Sequence, residues 1–537
     1  MTWKSSAATR STSIRADFNE SLVTDFCFLS SELKMNLVEL LETRAVQCPN
    51  QIALIDGRCG RERTISFAGL QTRINACAQA LQDAGLGAGA QVLVLVPMQS
   101  ELYITLAALW KIGATALFLD PSAGRKHIAE CCRRTHPEAL IAIPKARLLW
   151  WLNKSLRRIP LKLVWGRELN IEHASESPIP SSKVTKDTPA ILTFTSGSTG
   201  TPKGAIRTHG LLDAQYRALE SAIDLQAGEI ELATMPIIAL VNLAAGITTL
   251  IPDADLKRPG FVKTKLILKQ IKQFAPNRCV ASPAFLQRFP EGTGSLEKIY
   301  TGGAPVFPRG LRQIEAAFPQ ANITVLYGST EAEPISHIDW SAIEPEERQA
   351  IAAGRGLLVG PIAPDAEVRI IRDQWGEGIT AQNESEWDAM RCATGRTGEI
   401  VVAGDHVIPG YLGGIGDAEN KICIAGKVWH RTGDAGYFDP EGRLWLMGRC
   451  AAKFKIDSEW VYPFALECAA VEKFDIPIAA CCERGGKPTL FLPHHFDGPL
   501  PDSFTCGPIT VQNVVRKKIP LDKRHNAKVD YAKLKSG

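Results

Sequence analysis

The sequence predicts an α/β protein: a large N-terminal domain built on parallel sheets, a β-rich subdomain within it, and a small α+β C-terminal domain. Three observations carry this. Continuous apolar runs, QVLVLVP (91–97) and TALFLDP (115–121), mark strands buried on both faces. Helical periods lie between such runs, and strand alternating with helix argues a doubly wound parallel sheet. From 355 to 447 the text changes to short strands with glycine turns, and a smaller mixed segment follows Gly448-Arg449. The boundaries read from this are 35–448 for the large domain, about 355–447 for its β-rich part, and 449–537 for the small domain.

Residues 1–34 are Ser/Thr/Arg-rich with no acid before Asp17, and read as a disordered extension. From Met35, Leu37, Leu40, Leu41 and Ala45 share one helical face until Pro49 stops it. QIALID is a short strand, and TISFAGLQTRINACAQALQDAGLG a strand, a turn and a helix. ELYITLAALWKIGA is a helix closed by Gly113. Residues 145–159, KARLLWWLNKSLRRI, join adjacent tryptophans to five Lys/Arg residues. Two readings stand: a surface helix packing its Leu/Trp stripe on the sheet, or a basic amphipathic segment lying on a membrane. Residues 174–188 are a polar connection.

After that connection, LLDAQYRALESAI is a helix and ELATMPIIALVNLAAGITTLIPD a strand and a helix. KTKLILKQIKQFAPNRCVASP reads as a helix and a strand, and LEKIYTGGAPV as a strand entering a tight glycine turn. ITVLYGSTEAEPISHI reads as a buried strand followed by a polar loop. Strand ends bearing Gly, Ser, Thr and Glu are where open α/β sheets bind ligands.

Composition narrows the function. The 537 residues are too many for one simple core, so two or more domains are expected. An apolar fraction of 45% with 22% charged residues fits a globular protein. A net charge of +4 gives no case for nucleic acid as partner. The fourteen cysteines lack any C-x-x-C, so neither zinc site nor disulfide framework is expected. Reduced thiols in a cytoplasmic protein are the plain reading. No 18-residue apolar run is present, so membrane contact is at most peripheral.

The stretch Leu192–Gly210, LTFTSGSTGTPKGAIRTHG, is the chemical centre of the sequence. Gly197, Gly200 and Gly204 let backbone N–H groups approach a ligand closely. The hydroxyls of Thr195, Ser196, Ser198, Thr199 and Thr201 add donors, and Lys203 adds a charge. That composition makes a phosphate cradle, although Pro202 before the lysine and Gly204 after it exclude a Walker P-loop.

This stretch resembles the phosphate loop of the adenylate-forming superfamily: acyl-CoA synthetases, luciferases and peptide-synthetase adenylation domains. The resemblance implies ATP as substrate and Mg²⁺ as its companion. YGSTE (327–331) is similar to the superfamily's Tyr-Gly-x-Thr-Glu motif. By that resemblance Tyr327, with Gly328 and Ser329, borders adenine, Thr330 contacts the α-phosphate region, and Glu331 is the metal residue. Magnesium takes few carboxylates plus substrate phosphates, which suits a lone Glu. GGAP (302–305) matches the adenine-side turn, with Gly303, Ala304 and Pro305. RTGD places Asp434 in a β-turn, where the family accepts hydrogen bonds from ribose, and Arg449 is the second ribose contact.

The C-terminal text departs from the family. Lys455 and Glu467 match its hinge motif, but Ala451 or Ala452 stands for the hinge acid or lysine, and Ser458 for the glycine. The resemblance implies that the small C-terminal domain is mobile, and these departures put its rotation in question. In the closing motif Ala527 replaces the glycine, but Lys528 falls in register as the lysine expected to reach the α-phosphate and carboxylate. Lys203 is then a grip on the leaving pyrophosphate. The plainer reading of Lys528 is one more cation on a solvated tail, since the last 22 residues hold eight Lys/Arg against two Asp.

Residues 239–253, the WHRTGDAGYFDPEGRLWLMGR run (429–449) and the RHNAK ending resemble the β-lactone synthetases of long-chain olefin biosynthesis. The implied partner is a long-chain β-hydroxy fatty acid, whose hydroxyl attacks its own activated acyl group. CoA or an acyl carrier protein would be the partner of a related ligase, and a complex with pathway enzymes is a further expectation. Superfamily layout places the acyl chain near Ile237, Leu240, Val241, Gly302 and the Ser329 loop. Three functions are carried forward: lactone synthetase, fatty-acid ligase to CoA or carrier protein, and non-catalytic nucleotide-binding relative. His209 and His337 sit beside the motifs without an assigned role.

Overall fold

The computed structural model describes residues 37–537 except 59, 121–122, 172–180, 197–200, 380, 382, 457–458, 522–527 and 537. The expected extension 1–34, the loop tip Gly197, Ser198, Thr199 and Gly200, and Ser458 and Ala527 lie outside the described residues. Asn36–Gly537 groups as one compact unit.

Two mainly parallel sheets and one antiparallel sheet form the larger part. The first runs in the order Leu161–Val164, Ala139–Ala142, Gln91–Leu95, Thr115–Phe118, Pro189–Ser196, Pro202–Thr208. Its first five strands are parallel, and only the last pair is antiparallel. Its inner strands are the apolar runs of the sequence: Ala139–Ala142 is buried throughout, as a strand covered on both faces must be. The helix Ser100–Lys111 lies buried along its whole length, and the Trp110 indole donates to the Ala190 carbonyl at 3.0 Å. Gly113, at φ +75, ends the turn that follows it.

The second sheet has eight strands, ordered Ala332–Asp339, Asn322–Ser329, Lys298–Gly302, Arg278–Ala281, Ile230–Ala233, Thr248–Ile251, Ile52–Arg58, Arg61–Ser66. Again the interior is parallel and each edge is an antiparallel hairpin. Here the structure corrects one expectation. The text after YGSTE is not a polar loop but the strand Ala332–Asp339, and Ser329 pairs with Ala332. Thr330 and Glu331 are therefore the tip of a tight hairpin. Alternation explains the misreading: Ala332, Pro334, Ile335, Ser336 and Ile338 are buried while Glu333, His337 and Asp339 are half-buried, so polar letters hide a strand.

The third sheet is antiparallel and holds Leu357–Gly360, Leu444–Arg449, Lys427–Phe438, Gly398–Ala403 and Glu367–Ile371, with Lys421–Ile424 beside Lys427–Phe438. RTGD lies inside the strand Lys427–Phe438, so Asp434 is not in a β-turn. The ladder shifts register between Ala435 and Gly436, and Gly433 has φ +69. A β-bulge, with its glycine, looks like a turn in sequence.

The C-terminal part is α+β. A hairpin (Phe454–Ile456 and Glu459–Val461) leads to the helix Pro463–Lys473, which packs on the sheet Ala480–Arg484, Lys487–Pro493, Asn513–Lys517. Phe307 meets Phe464 with ring centroids 5.9 Å apart, and Arg309 and Arg312 bind Glu472 and Asp475. Gly448, at φ +104, lets Phe464 approach so closely that a Cβ would lie 2.4 Å from the Phe464 Cβ. No described helix is long and apolar enough to cross a membrane.

Candidate functional site

A cleft of about 190 Å³ opens where the second and third sheets face the C-terminal part. One wall is the turn Gly303-Ala304-Pro305 and the strand end Tyr327-Gly328-Ser329. Asp434 and Arg449 come from the third sheet; Glu467, Lys528 and Tyr531 come from the C-terminal part. Residues between Gly303 and Tyr531, drawn from three parts of the fold, thus meet in one place.

Each is held by local chemistry. Gly302 must be glycine, because a Cβ there would lie 2.6 Å from the Leu326 carbonyl across the parallel ladder. Gly303 has φ +78, and nothing lies within 4 Å of where its Cβ would stand. Its bare backbone therefore faces open space, as a close ligand approach requires. Asp434 is fixed from two sides: the Tyr327 phenol donates to Oδ2 at 2.9 Å, and Arg449 Nε stands 3.1 Å from Oδ1. The Thr432 hydroxyl accepts from the Asp434 N–H at 3.0 Å, and the Thr432 carbonyl accepts from Arg449 at 3.2 Å. Burial, and then the Asp434 charge, push the Tyr327 phenol well above its usual pKa, so it stays a donor.

The phosphate-loop flanks form an antiparallel hairpin in which Thr195 pairs with Lys203 and Ser196 with Pro202. Arg134 holds its loop end, donating to the Pro202 and Leu412 carbonyls at 2.5 and 2.6 Å. Lys203 is buried in the second strand, its ammonium 5.8 Å from the centre of the Tyr411 ring. Gly416 makes room for the lysine stem, since a Cβ there would meet Lys203 Cδ at 2.7 Å.

Two residues join this hairpin to the Thr330-Glu331 turn. Arg207 donates to the Thr330 carbonyl at 2.7 Å and to the Thr193 hydroxyl at 3.0 Å. The Tyr411 phenol donates to Glu331 Oε1 at 3.1 Å. Sequence reading missed Tyr411, because PGYLGG resembles any glycine-rich loop. It also missed Lys421, whose ammonium lies 5.4 Å from the Tyr411 ring centre and which burial lowers to about 8. Glu333 was passed over too. Burial raises its carboxyl, while Arg207 and Lys528 draw it down, so Lys528 sits within electrostatic reach of the hairpin strand.

Other residues named from the sequence stand elsewhere. Leu240 and Val241 are buried in the main core with Ile237 packed against them, and none of the three lines this cleft. Gly302 does not line it either, whereas Ser329 does. His209 is buried edge-on to Trp110, and desolvation lowers it to about 4, which makes it a neutral core residue. Ala451 and Ala452 form a short 3-10 turn, with Ala452 buried. Beside it Lys453 and Tyr462 both bind Asp373 Oδ2 at 2.8 Å. Lys455 stacks its ammonium on Trp460, 4.9 Å from the ring centre.

The family model described as AMP-binding enzyme matches residues 41–412. The chain belongs to the AMP-binding enzyme family. It is an adenylate-forming acid ligase. Asp434, Arg449 and Lys528 lie beyond the matched range, so the fold of this AMP-binding enzyme is what brings them to the cleft. It is 30% identical to the olefin beta-lactone synthetase of Stenotrophomonas maltophilia over 95% of this chain and 97% of that protein. The olefin beta-lactone synthetase of Xanthomonas campestris is 32% identical over 80% of this chain and 79% of its own. Among solved structures, the amide bond synthetase McbA of Marinactinospora thermotolerans superposes with a TM-score of 0.73. That likeness is at 21% identity and covers 93% of this chain and 99% of the other.

Among the described residues no group of three or more His, Cys, Asp or Glu is arranged to hold a metal ion. Glu331 offers one carboxylate, steadied by Tyr411. A hard cation bound there must take its other oxygens from phosphates and water, which is how magnesium binds nucleotides.

Proposed function

We propose that this ligase adenylates a long-chain β-hydroxy fatty acid and that the hydroxyl then closes the β-lactone. The observation that carries adenylation is the presence of Lys528 in the same cleft as Tyr327, Asp434 and Arg449. Asp434, oriented by Tyr327 and Arg449, accepts from the ribose hydroxyls, and the Gly303-Ala304-Pro305 turn borders adenine. The 195–203 hairpin, with Lys203, grips the β- and γ-phosphates, and Thr330 faces the α-phosphate. Glu331 would hold Mg²⁺, which neutralises phosphate charge when bound. Lys528, carried by residues 449–537 acting as the small domain, steadies the carboxylate oxygen and α-phosphate as charge develops between them.

The substrate carboxylate attacks the α-phosphorus and pyrophosphate leaves. The β-hydroxyl oxygen then bonds to the acyl carbon, the bond to AMP breaks, and the hydroxyl proton passes to solvent. The attacking oxygen is tethered to its target, so its effective concentration is high without a second substrate. Similarity to two olefin beta-lactone synthetases over most of both chains supports this reading over thioester formation.

Incubation with ATP, Mg²⁺ and a long-chain β-hydroxy acid, without CoA or carrier protein, is expected to yield lactone, AMP and pyrophosphate. A product that forms only with CoA or carrier protein, and is a thioester, overturns the lactone step. Absence of acid-dependent pyrophosphate exchange with every acid tried overturns the whole reading.

A further inference from the structure

The segment Arg147–Leu152 gathers four exposed large apolar side chains in one short helix. Leu148 is 63% exposed, Trp151 65%, Leu152 51% and Leu149 41%. Leu148, Trp151 and Leu152 follow the i, i+3, i+4 spacing of one helical face, and that face points outward. The stripe-on-the-sheet reading of 145–159 is therefore wrong for these residues. Packing is left to Ala146, Leu156 and Ile159, which are buried. Asn153 breaks the helix and caps the next one, its side chain accepting from the Ser155 and Leu156 N–H groups.

The charge along this stretch has one sign. Between Glu138 and Glu168 the sequence holds seven Lys/Arg and no acid. Lys145, Arg147, Lys154, Arg157 and Arg158 are all exposed. Leu149 and Leu152 also line an apolar cavity of about 220 Å³ with Leu93, Leu95, Ile128 and Leu156, so the exposed stripe continues inward.

We propose that Arg147–Leu152, with Lys154–Arg157 behind it, docks this enzyme on an anionic lipid bilayer. A water-exposed cluster of this size costs free energy unless something apolar covers it. A cover that also suits five cations and no anion is a leaflet of acyl chains under phosphate headgroups. Tryptophan in such a patch fits the headgroup boundary. Leu148, Trp151 and Leu152 insert, the cations contact phosphates, and the enzyme lies on the surface without spanning it. None of these side chains belongs to the nucleotide cleft, so this inference stands apart from the acid that is activated.

The test is sedimentation of the full chain with phosphatidylcholine vesicles and with vesicles of equal parts phosphatidylcholine and phosphatidylglycerol. Binding is expected to the anionic vesicles only, and to weaken at high salt. The double variant Leu148→Ser, Trp151→Ser is expected to lower the partition coefficient about ten-fold or more. Arg147→Gln, Arg157→Gln and Arg158→Gln should each lower it about five-fold. Pyrophosphate exchange without vesicles should match the unaltered protein in all four, which shows that they fold. No binding to anionic vesicles at low salt overturns the proposal, as does binding that these variants leave intact. A self-assembled particle that the Leu148/Trp151 variant dissociates, with no vesicle binding, would make the patch a protein interface instead.

Discussion

The Tyr531 phenol stands 2.8 and 2.9 Å from the two carboxylate oxygens of Glu467 and donates a hydrogen bond shared between them. Tyr531 begins the last helix and follows Lys528 by three residues, while Glu467 sits in the middle of the helix Pro463–Lys473. Burial keeps the phenol protonated, raising it well above its ordinary value, with the Glu467 charge adding to the effect. This bond ties the lysine-bearing segment to the packed body of the C-terminal part.

Tyr531→Phe removes only that bond. It is expected to lower the turnover of pyrophosphate exchange about ten-fold, the worth of a hydrogen bond to a charged partner, with little change in KM for ATP. A matching loss of KM and thermal stability, with turnover intact, would make the bond merely structural.

Glu467 gives a pH dependence. Burial raises its carboxyl to about 7, partly offset by the Cys481 N–H and Tyr531. The folded value lies above the ordinary 4.5, so the folded chain holds this proton more tightly than the unfolded chain. Its stabilising contribution is complete below about 4.5 and is lost as pH rises through about 7. Glu467→Gln stays neutral and should flatten the dependence of Tm on pH across this window. Identical slopes for the two proteins would contradict the assignment.

Lys528→Ala is expected to reduce acid-dependent pyrophosphate exchange by about 10²–10³-fold, as loss of one charge-stabilising donor does. Lys203→Ala should instead raise KM for ATP more than it lowers turnover. Exchange unchanged in Lys528→Ala would sink the adenylation role given to that lysine.

Tyr411→Phe leaves Glu331 without its phenol partner. Outer partners of a metal ligand are typically worth about 10–100-fold in metal affinity. Titrating exchange activity with Mg²⁺ should therefore show a half-saturating concentration raised by that order, with activity recovered at high Mg²⁺. A variant that no amount of Mg²⁺ restores would place Tyr411 outside the metal site proposed at Glu331.

Gly448→Ala places a Cβ 2.4 Å from the Phe464 Cβ at a φ of +104. Strain and overpacking together should cost about 2–4 kcal/mol, read as a lower Tm in calorimetry. An unchanged Tm would mean that Phe464 yields freely.

Much of this site was legible in the chain itself. The apolar runs gave the parallel strands, because a strand buried on both faces can carry few polar side chains. Tyr327, Asp434, Arg449 and Lys528 were all singled out by motif, and all line one cleft. Misreadings fell where the pattern was local and ambiguous. A bulge with Gly433 read as a turn, and the alternating strand Ala332–Asp339 read as a loop. For the helix over 147–152 the sequence leaves two readings open, since amphipathicity shows that a face is apolar but not what covers it.

The sequence by itself determined the elements, the glycines that let backbones approach, and the residue types able to manage an acid and a triphosphate. Only the tertiary structure decided who meets whom. Tyr411 reaches Glu331 across 80 residues, and Arg207 reaches Thr330 across 123. Such contacts have no period and no spacing to read. They are set by how three sheets and a C-terminal part pack, which depends on the whole core at once.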